Sequence, residues 1–215
     1  MDFQRQTVSR ETLNKARKLY ARYGEKLDHY LDQLMWWNER VNLVSRDVSR
    51  ETVREHLVHS LIPAVMDLLH QKQWVDTGTG GGLPGIPLSI VEPEKEWILN
   101  DVVKKKIAAI RQMVYRLSID NVQTDDGSIE SLSLPDGCGI ISKHAFDLND
   151  LLKMTDGAER WERVILFKGV TDAEEELKSV PDRFQATLLS FDFGDDELFY
   201  KQKGLVIIEP GVCRT

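Results

Sequence analysis

Residues 75–88 read VDTGTGGGLPGIPL, and this stretch decides the fold. Five glycines and two prolines stand in these fourteen positions, after a short apolar segment and before another. Glycine adopts backbone angles that are closed to other residues and lets the chain pass close to a ligand. Proline is tolerated at a helix start, where the first N–H groups have no partner inside the helix. The stretch therefore predicts a strand, a ligand-binding loop and a helix N-terminus aimed at the ligand.

The segments that follow indicate the rest of the fold. From residue 73 onward, short apolar strands alternate with helical patterns, which predicts a mostly parallel sheet with helices on both faces. The last two strand-like segments, at 183–191 and 204–209, have no helix between them and predict an antiparallel pair at the sheet's edge. Apolar residues at three-and-four spacing predict helices in the first 72 residues. We expect one compact unit, with a helical N-terminal extension over 1–72 and an α/β core over 73–215.

The acidic residues beside the glycines favour one kind of ligand. Gly80, Gly82 and Gly85 match the dinucleotide pattern G-x-G-x-x-G, but this match alone is weak in a glycine-rich loop. Asp76, at the end of the first core strand, would face the pyrophosphate of a dinucleotide, whereas it suits a ligand with a cationic end. S-adenosylmethionine carries an ammonium and a sulfonium group. Asp101 closes the next strand, where a carboxylate accepts hydrogen bonds from ribose hydroxyls. Together these acids favour a class I, Rossmann-like methyltransferase with a seven-stranded sheet.

Composition excludes several other classes of protein. No apolar run approaches the about 18 residues that a membrane span needs, and the polar N-terminus has no secretory signal, so we expect a cytoplasmic protein. Two cysteines in 215 residues do not suggest a disulfide framework or a zinc site. His56 and His59 are spaced as a metal pair could be, but no third ligand is apparent, and we expect no metal.

Charge is distributed unevenly along a chain whose net charge is −7. Residues 104–116 contain five basic side chains and no acid, residues 1–22 are also basic, and residues 171–200 are strongly acidic. Basic patches of this kind could face the phosphates of a nucleic acid, although solvated helix faces would look the same. We expect RNA contacts from Lys104, Lys105, Lys106 and Arg111.

Several motifs together resemble the ribosomal small-subunit methyltransferase G family, also called glucose-inhibited division protein B. The family's glycine loop, D-x-G-T-G-x-G-[FL]-P-G-I-P-L, is matched from Asp76 to Leu88, and its following strand and helix are matched at 99–112. Its W-N-x-x-x-N-L motif is matched at 37–43, and its V-E dipeptide corresponds to Ile129 and Glu130. The chain departs from the family at Ser128 and Lys143, where arginine is usual, and at His59, where aspartate is usual; His144 stands as if inserted.

The resemblance implies a function and a set of site residues. It implies methyl transfer from S-adenosylmethionine to N7 of a guanosine in the 16S rRNA of the small ribosomal subunit. It places Gly78, Leu83 and Lys143 at the cofactor, and Ile129 and Glu130 around the adenine. Asp76, Gly80, Gly82 and Asp101 complete the predicted cofactor site.

No catalytic residue is assigned, because guanine N7 carries a lone pair and no proton, so a base is not required. We expect a monomer. Two alternatives remain, a small-molecule methyltransferase and a non-catalytic S-adenosylmethionine-binding protein.

Overall fold

A computed structural model describes residues 3–155 and 161–211, and Cys213 lies outside them. The strands are β1 (Gln4–Ser9), β2 (Gln73–Thr77), β3 (Glu96–Asn100), β4 (Val122–Asp125), β5 (Cys138–Lys143), β6 (Trp161–Gly169), β7 (Phe184–Asp192) and β8 (Lys203–Pro210). The helices are α1 (Arg10–Arg22), α2 (Gly24–Val41), α3 (Arg50–Ser60), α4 (Ile62–Val65), α5 (Gly85–Val91), α6 (Lys104–Arg116), α7 (Leu148–Met154) and α8 (Val170–Leu177). Two short 3-10 helices cover Ile129–Ser131 and Leu198–Tyr200.

The strands form one sheet in the order β1-β7-β8-β6-β5-β2-β3-β4. Strands β2 to β6 are parallel to one another, and β8 runs antiparallel to both β6 and β7. The predicted α/β fold, its seven core strands and its antiparallel C-terminal pair are therefore confirmed. From β2 the chain adds β3 and β4 on one side and then β5 and β6 on the other, so the strand order reverses at β2. The carboxyl ends of β2, β3 and β5 therefore meet at a topological switch point, where α/β proteins bind ligands.

The N-terminal residues add an eighth strand that the sequence reading missed. Strand β1 pairs in parallel with β7 and continues the sheet beyond the antiparallel pair. Its sequence, QRQTVS, buries only Val8, so apolar periodicity gave no signal for it. The pairing covers backbone N–H and C=O groups of β7 that would otherwise be exposed at the sheet's edge.

Helices α1 to α4 pack beside the core instead of standing apart from it. Leu27 and Leu34 of α2 are fully buried in the same apolar cluster as Ile107 of α6 and Trp97 of β3. A second apolar cluster, containing residues of α7 and α8, also lies against the sheet. This packing carries the end of α2 and the middle of α3 to the carboxyl edge of the sheet.

Candidate functional site

The loop between β2 and α5 has the conformation that its glycines predict. Gly78, Gly80 and Gly82 have φ angles of 66°, 58° and 100°, in the left-handed region that favours glycine. At Gly78 an added Cβ would lie 2.4 Å from the Cβ of Ala145, so a side chain cannot be accommodated. The loop is also tied to β3, because Thr79 N donates to the carbonyl oxygen of Asn100 at 3.1 Å. The conformation of the loop is thus fixed by its close contact with Ala145 and by its hydrogen bond to β3.

Asp76 lies beneath this loop and braces it. Its Oδ2 accepts hydrogen bonds from Thr79 Oγ1 at 2.6 Å and from Gly85 N at 2.8 Å. Its Oδ1 is buried with no partner, the one such carboxylate oxygen in the part of the chain that the structure describes. Burial raises the pKa of Asp76 to about 7, although the bonds from Thr79 and Gly85 oppose the rise. Asp76 is fully buried and lines neither of the two cavities described below, so Oδ1 is an acceptor left without a partner beneath the loop.

Asp101 follows β3 and faces the same loop. Its Oδ2 accepts from Gly80 N at 3.1 Å, and its Oδ1 accepts from Val103 N at 2.9 Å. The ammonium of Lys106 lies 3.6 Å from Oδ2. Asp101 thus joins the glycine loop to the start of α6, and it still lines a cavity through which a ligand could reach its oxygens.

The larger of two neighbouring cavities lies over the ends of β3 and β5. Its volume is about 550 Å³, and its walls contain Gly78, Asn100, Asp101, Val102, Val103, Lys106, Ser128, Ile129, Lys143, His144, Ala145, Phe146 and Met154. This size falls within the range of small-molecule and cofactor sites. Polar groups from β3 stand opposite the apolar side chains of Ile129, Phe146 and Met154, which suits a ligand with a sugar and a flat base.

A smaller cavity of about 220 Å³ lies on the other side of the glycine loop. It is lined by Leu43, Val44, Ser45, His56, Gly78, Thr79, Gly80, Gly81, Leu83, Lys143 and His144. The two cavities share Gly78, Lys143 and His144, so they meet at the end of β5. The smaller cavity is bounded by residues of the N-terminal helical segment, and the larger cavity is not. The arrangement can place two different ligands on either side of a common wall.

Lys143 stands in the common wall, but its ammonium is directed toward α3. The Nζ atom donates to the carbonyl oxygen of His56 at 2.8 Å and to Ser60 Oγ at 3.2 Å. Burial, with a smaller contribution from Lys203, holds the pKa of Lys143 well below its usual value, while Asp76 opposes this shift. The side chain therefore connects the sheet to the N-terminal helices as well as lining both cavities.

His59, where the family usually has aspartate, lies behind Lys143. It is fully buried, and neither of its ring nitrogens has a hydrogen-bond partner among the described residues. Its ring makes edge contacts with Phe167 and Tyr200, at centroid distances of 4.8 and 5.7 Å. Burial, reinforced by Lys143, holds the pKa of His59 well below its usual range. Within the described residues, no group of three His, Cys, Asp or Glu side chains is placed to hold a metal ion.

The remaining predicted residues occupy different places. Leu83 lines the smaller cavity and Ile129 lines the larger one. Gly82 lines neither cavity and lies next to the side chain of Ile86. Glu130 is exposed and bonded to Ser128 Oγ, and its side chain does not line either cavity. Sequence reasoning did not select Asn100, whose amide donates to Asp125 and Gly127, nor the walls formed by Val103, Phe146 and Met154. The available signal was their position at element ends: Asn100 ends β3, Met154 ends α7, and Val103 and Phe146 follow β3 and β5 by three residues.

The predicted RNA-contacting residues on α6 differ in availability. Lys104 and Lys105 are exposed, and neither forms an ion pair within residues 3–155 and 161–211. Lys106 is partly buried beside Asp101, and Arg111 Nε donates to Thr124 Oγ1 at 2.8 Å. Lys104, Lys105 and Arg111 are thus exposed, and Lys106 is the one of the four that is partly buried and paired with an acid.

A glycine loop after β2, an acid after β3 and this strand order define a class I methyltransferase. Solved structures agree on the fold. An O-methyltransferase from Bacillus cereus aligns with a TM-score of 0.59 over 84% of this chain and 90% of its own, at 16% identity. The 23S rRNA methyltransferase ErmE aligns with a TM-score of 0.53 over 77% of this chain and 69% of its own, at 8% identity.

The chain belongs to the GidB family, rRNA small subunit methyltransferase G, whose sequence model matches residues 24–191. Among its relatives is the ribosomal RNA small subunit methyltransferase G of Sodalis glossinidius, 35% identical over 75% of this chain and 78% of the relative. The protein of the same name from Chlorobium limicola is 32% identical over 86% and 87%. The resemblance that the sequence motifs indicated is therefore confirmed, and the chain is a methyltransferase.

Proposed function

We propose that this enzyme transfers the methyl group of S-adenosylmethionine to N7 of a guanosine in the 16S rRNA of the small ribosomal subunit, in the cytoplasm. Family membership supports the reaction class and the RNA substrate. One structural observation carries the mechanism: two cavities meet at Gly78, Lys143 and His144. The larger cavity suits the cofactor, and the smaller one, bounded by the N-terminal segment, suits the target base. In the part of the chain that the structure describes, no helix is both long and apolar enough to cross a membrane.

The residues present fit the cofactor. We assign the unpartnered Oδ1 of Asp76 to its ammonium and Asp101 to its ribose hydroxyls. Gly78 and Gly80 allow close approach of the backbone, and Ile129 supplies an apolar surface for the adenine. The other residues proposed for the cofactor lie differently: Lys143 lines both cavities, Leu83 lines only the smaller one, and Gly82 and Glu130 line neither. When bound, the cofactor supplies an electrophilic methyl group on a sulfonium.

The chemistry of the smaller cavity supports a target atom that carries no proton. Burial and the nearby Lys143 lower the pKa of His56 to about 3. Partial burial and neighbouring lysines lower the pKa of His144 to about 4. A general base works best when its pKa lies near the operating pH, so neither imidazole is tuned for that role. Methylation at N7 needs no base, only alignment of the nitrogen with the methyl group and exclusion of water.

We further propose that residues 1–72 form a helical extension that presents RNA to a catalytic core over 73–215, and that the enzyme acts as a monomer. Leu43, Val44, Ser45 and His56 all come from this extension and line the smaller cavity. The basic residues Lys104 and Lys105 stand exposed at the start of α6, beside the larger cavity. The extension and α6 thus border the site from the side on which a large substrate would arrive.

The decisive experiment is incubation of the protein with labelled S-adenosylmethionine and small subunits that lack the modification, followed by nucleoside analysis. Label in 7-methylguanosine, together with RNA cleavage at that site by borohydride and aniline, is expected. Naked 16S rRNA and large subunits serve as parallel substrates. Label in another nucleoside would refute N7 as the target. Cofactor binding without transfer to any RNA would instead indicate a small-molecule methyltransferase or a non-catalytic binding protein.

A further inference from the structure

Helices α2 and α6 lie side by side and form a continuous face that leads away from the site. Lys26 Nζ, near the start of α2, donates to the carbonyl oxygen of Ser118, just beyond the end of α6. At the opposite end, Leu43 lines the smaller cavity and Lys106 the larger. The two helices are therefore antiparallel. Arg116 is twelve residues from the start of α6 at Lys104, which is about 18 Å along a helix.

An aromatic ring and two guanidinium groups are stacked on this face. The Trp36 side chain is 42% exposed, although its neighbour Trp37 packs against the core. The guanidinium of Arg40 lies 3.7 Å from the Trp36 ring centroid, and that of Arg116 lies 5.8 Å from it. Tyr115, which precedes Arg116, is 81% exposed but lies with Arg111 and Thr124 on the β4 side of α6, because successive helix residues point 100° apart. An exposed tryptophan ring held between two arginines is not required by the packing of either helix.

The charge of this face distinguishes it from the rest of an acidic protein. Helix α6 contains no acidic residue, while the whole chain has a net charge of −7. Arg116 donates to the neutral amide oxygen of Gln33 at 3.1 Å and forms no ion pair with any residue that the structure describes. Arg40 is partly compensated, since it lies 3.2 Å from Glu39. An unneutralised guanidinium beside the exposed Trp36 ring is suited to a polyanion with flat groups.

We propose that the face formed by Trp36, Arg40 and Arg116 docks unpaired nucleotides of the rRNA that lie along the chain from the target base. The Trp36 ring stacks on a base, which must be single-stranded to offer its face, and Arg116 contacts phosphate. This assignment rests on the proposed function for its RNA substrate. It explains how an acidic chain can hold RNA: the basic residues of α6, which contains no acid, continue from the site to Arg116, and α2 adds Arg40 although that helix as a whole is acidic.

The test uses the full-length variants Trp36→Ala and Arg116→Gln, with Leu198→Ala and Lys178→Gln as matched controls. Leu198 is an exposed apolar residue, and Lys178 is an exposed cation paired with Glu175 on another part of the surface. For Trp36→Ala we expect KM for small subunits to rise about 5- to 150-fold, the range for losing one stacked base. The kcat value, cofactor affinity and Tm should stay near wild type, and both controls should match wild type throughout.

A second measurement does not depend on catalysis. Binding of a single-stranded guanosine-containing RNA is measured by filter retention over a range of salt concentrations. Arg116→Gln should flatten the log–log salt slope by about 0.7, the value for one phosphate contact on a single strand. Wild-type RNA affinity and salt slope in both variants would overturn the proposal, whether or not wild type methylates RNA. Displacement of the RNA by polyglutamate at equal charge concentration would also overturn it, since that would indicate an acidic protein partner. Absence of transfer by wild type would refute only the proposed function.

Discussion

Replacing Asp76 with asparagine should weaken cofactor binding while making the ligand-free protein more stable. The asparagine carbonyl can occupy the position of Oδ2, which accepts from Thr79 and Gly85. Its NH₂ group then occupies the position of Oδ1, the unpartnered oxygen assigned to the cofactor's ammonium. A charge-assisted hydrogen bond is thus replaced by a donor facing a donor. Loss of such a bond amounts to about 1.5–3 kcal/mol, or a 10- to 150-fold rise in Kd.

The effect on stability has the opposite sign. A pKa raised from 3.8 to about 7 means that ionising Asp76 in the folded protein disfavours folding by up to about 4 kcal/mol at pH 8. Because the folded pKa exceeds the unfolded one, the contribution of Asp76 to stability is complete below pH 3.8 and is lost as pH rises through about 7. Asp76→Asn has no ionisable group at this position, so its stability does not fall with pH in this way. Avoiding even a quarter of that loss would raise Tm by about 2–4 °C for a chain of this size.

The affinity of wild type should also depend on pH through the same carboxyl group. At pH 6 only about a tenth of ligand-free molecules have an ionised Asp76, so Kd for the cofactor should be about tenfold higher than at pH 8. Asp76→Asn should show no such change.

Calorimetry and thermal scans at pH 6 and pH 8 measure both quantities. Asp120→Asn, which alters an exposed aspartate, is the control and should match wild type. Wild-type affinity in the Asp76→Asn variant, or a lower Tm at pH 8, would refute the assignment of Oδ1 and the reasoning from burial.

Four other predictions follow from the same contacts. Asp101→Ala should weaken cofactor binding by about 1.5–3 kcal/mol in calorimetry; unchanged affinity would mean that Asp101 only braces Gly80 and α6. Charge reversal at Lys104 and Lys105 should lower RNA affinity and flatten the log–log salt slope by about 0.7–0.9 per contact, and an unaltered slope would exclude both residues. His59→Leu should lessen the loss of Tm between pH 8 and 5.5, because a buried imidazole with a depressed pKa stabilises the fold above about pH 6.5 and less below it; equal losses would contradict this. With saturating RNA and cofactor, the single-turnover rate should be nearly constant from about pH 6.5 to 8.5, since N7 has no proton to remove; a tenfold rise per pH unit would indicate a base.

The sequence alone determined the glycine loop and the carboxyl edge of the sheet on which it lies. The conformations of Gly78, Gly80 and Gly82 follow from a local property, because only glycine adopts those φ angles without strain. Asp76 and Asp101 follow short apolar strands, and parallel strands bring their carboxyl ends to one edge. The alternation of strands and helices was enough to predict the α/β core, since each element has its own hydrophobic period.

Only the tertiary structure decided how distant segments meet. Strand β1 is polar, and its place depends on a partner, β7, about 180 residues away. Lys106 and Lys104 look alike in the sequence, but the start of α6 brings Lys106 to Asp101 and leaves Lys104 in water. Trp36 and Trp37 are adjacent in the chain, yet the rotation of 100° per helix residue packs Trp37 partly against the core and exposes Trp36 beside Arg116. Pairing, neutralisation and exposure depend on which surfaces come together in the folded chain, and local sequence does not contain that information.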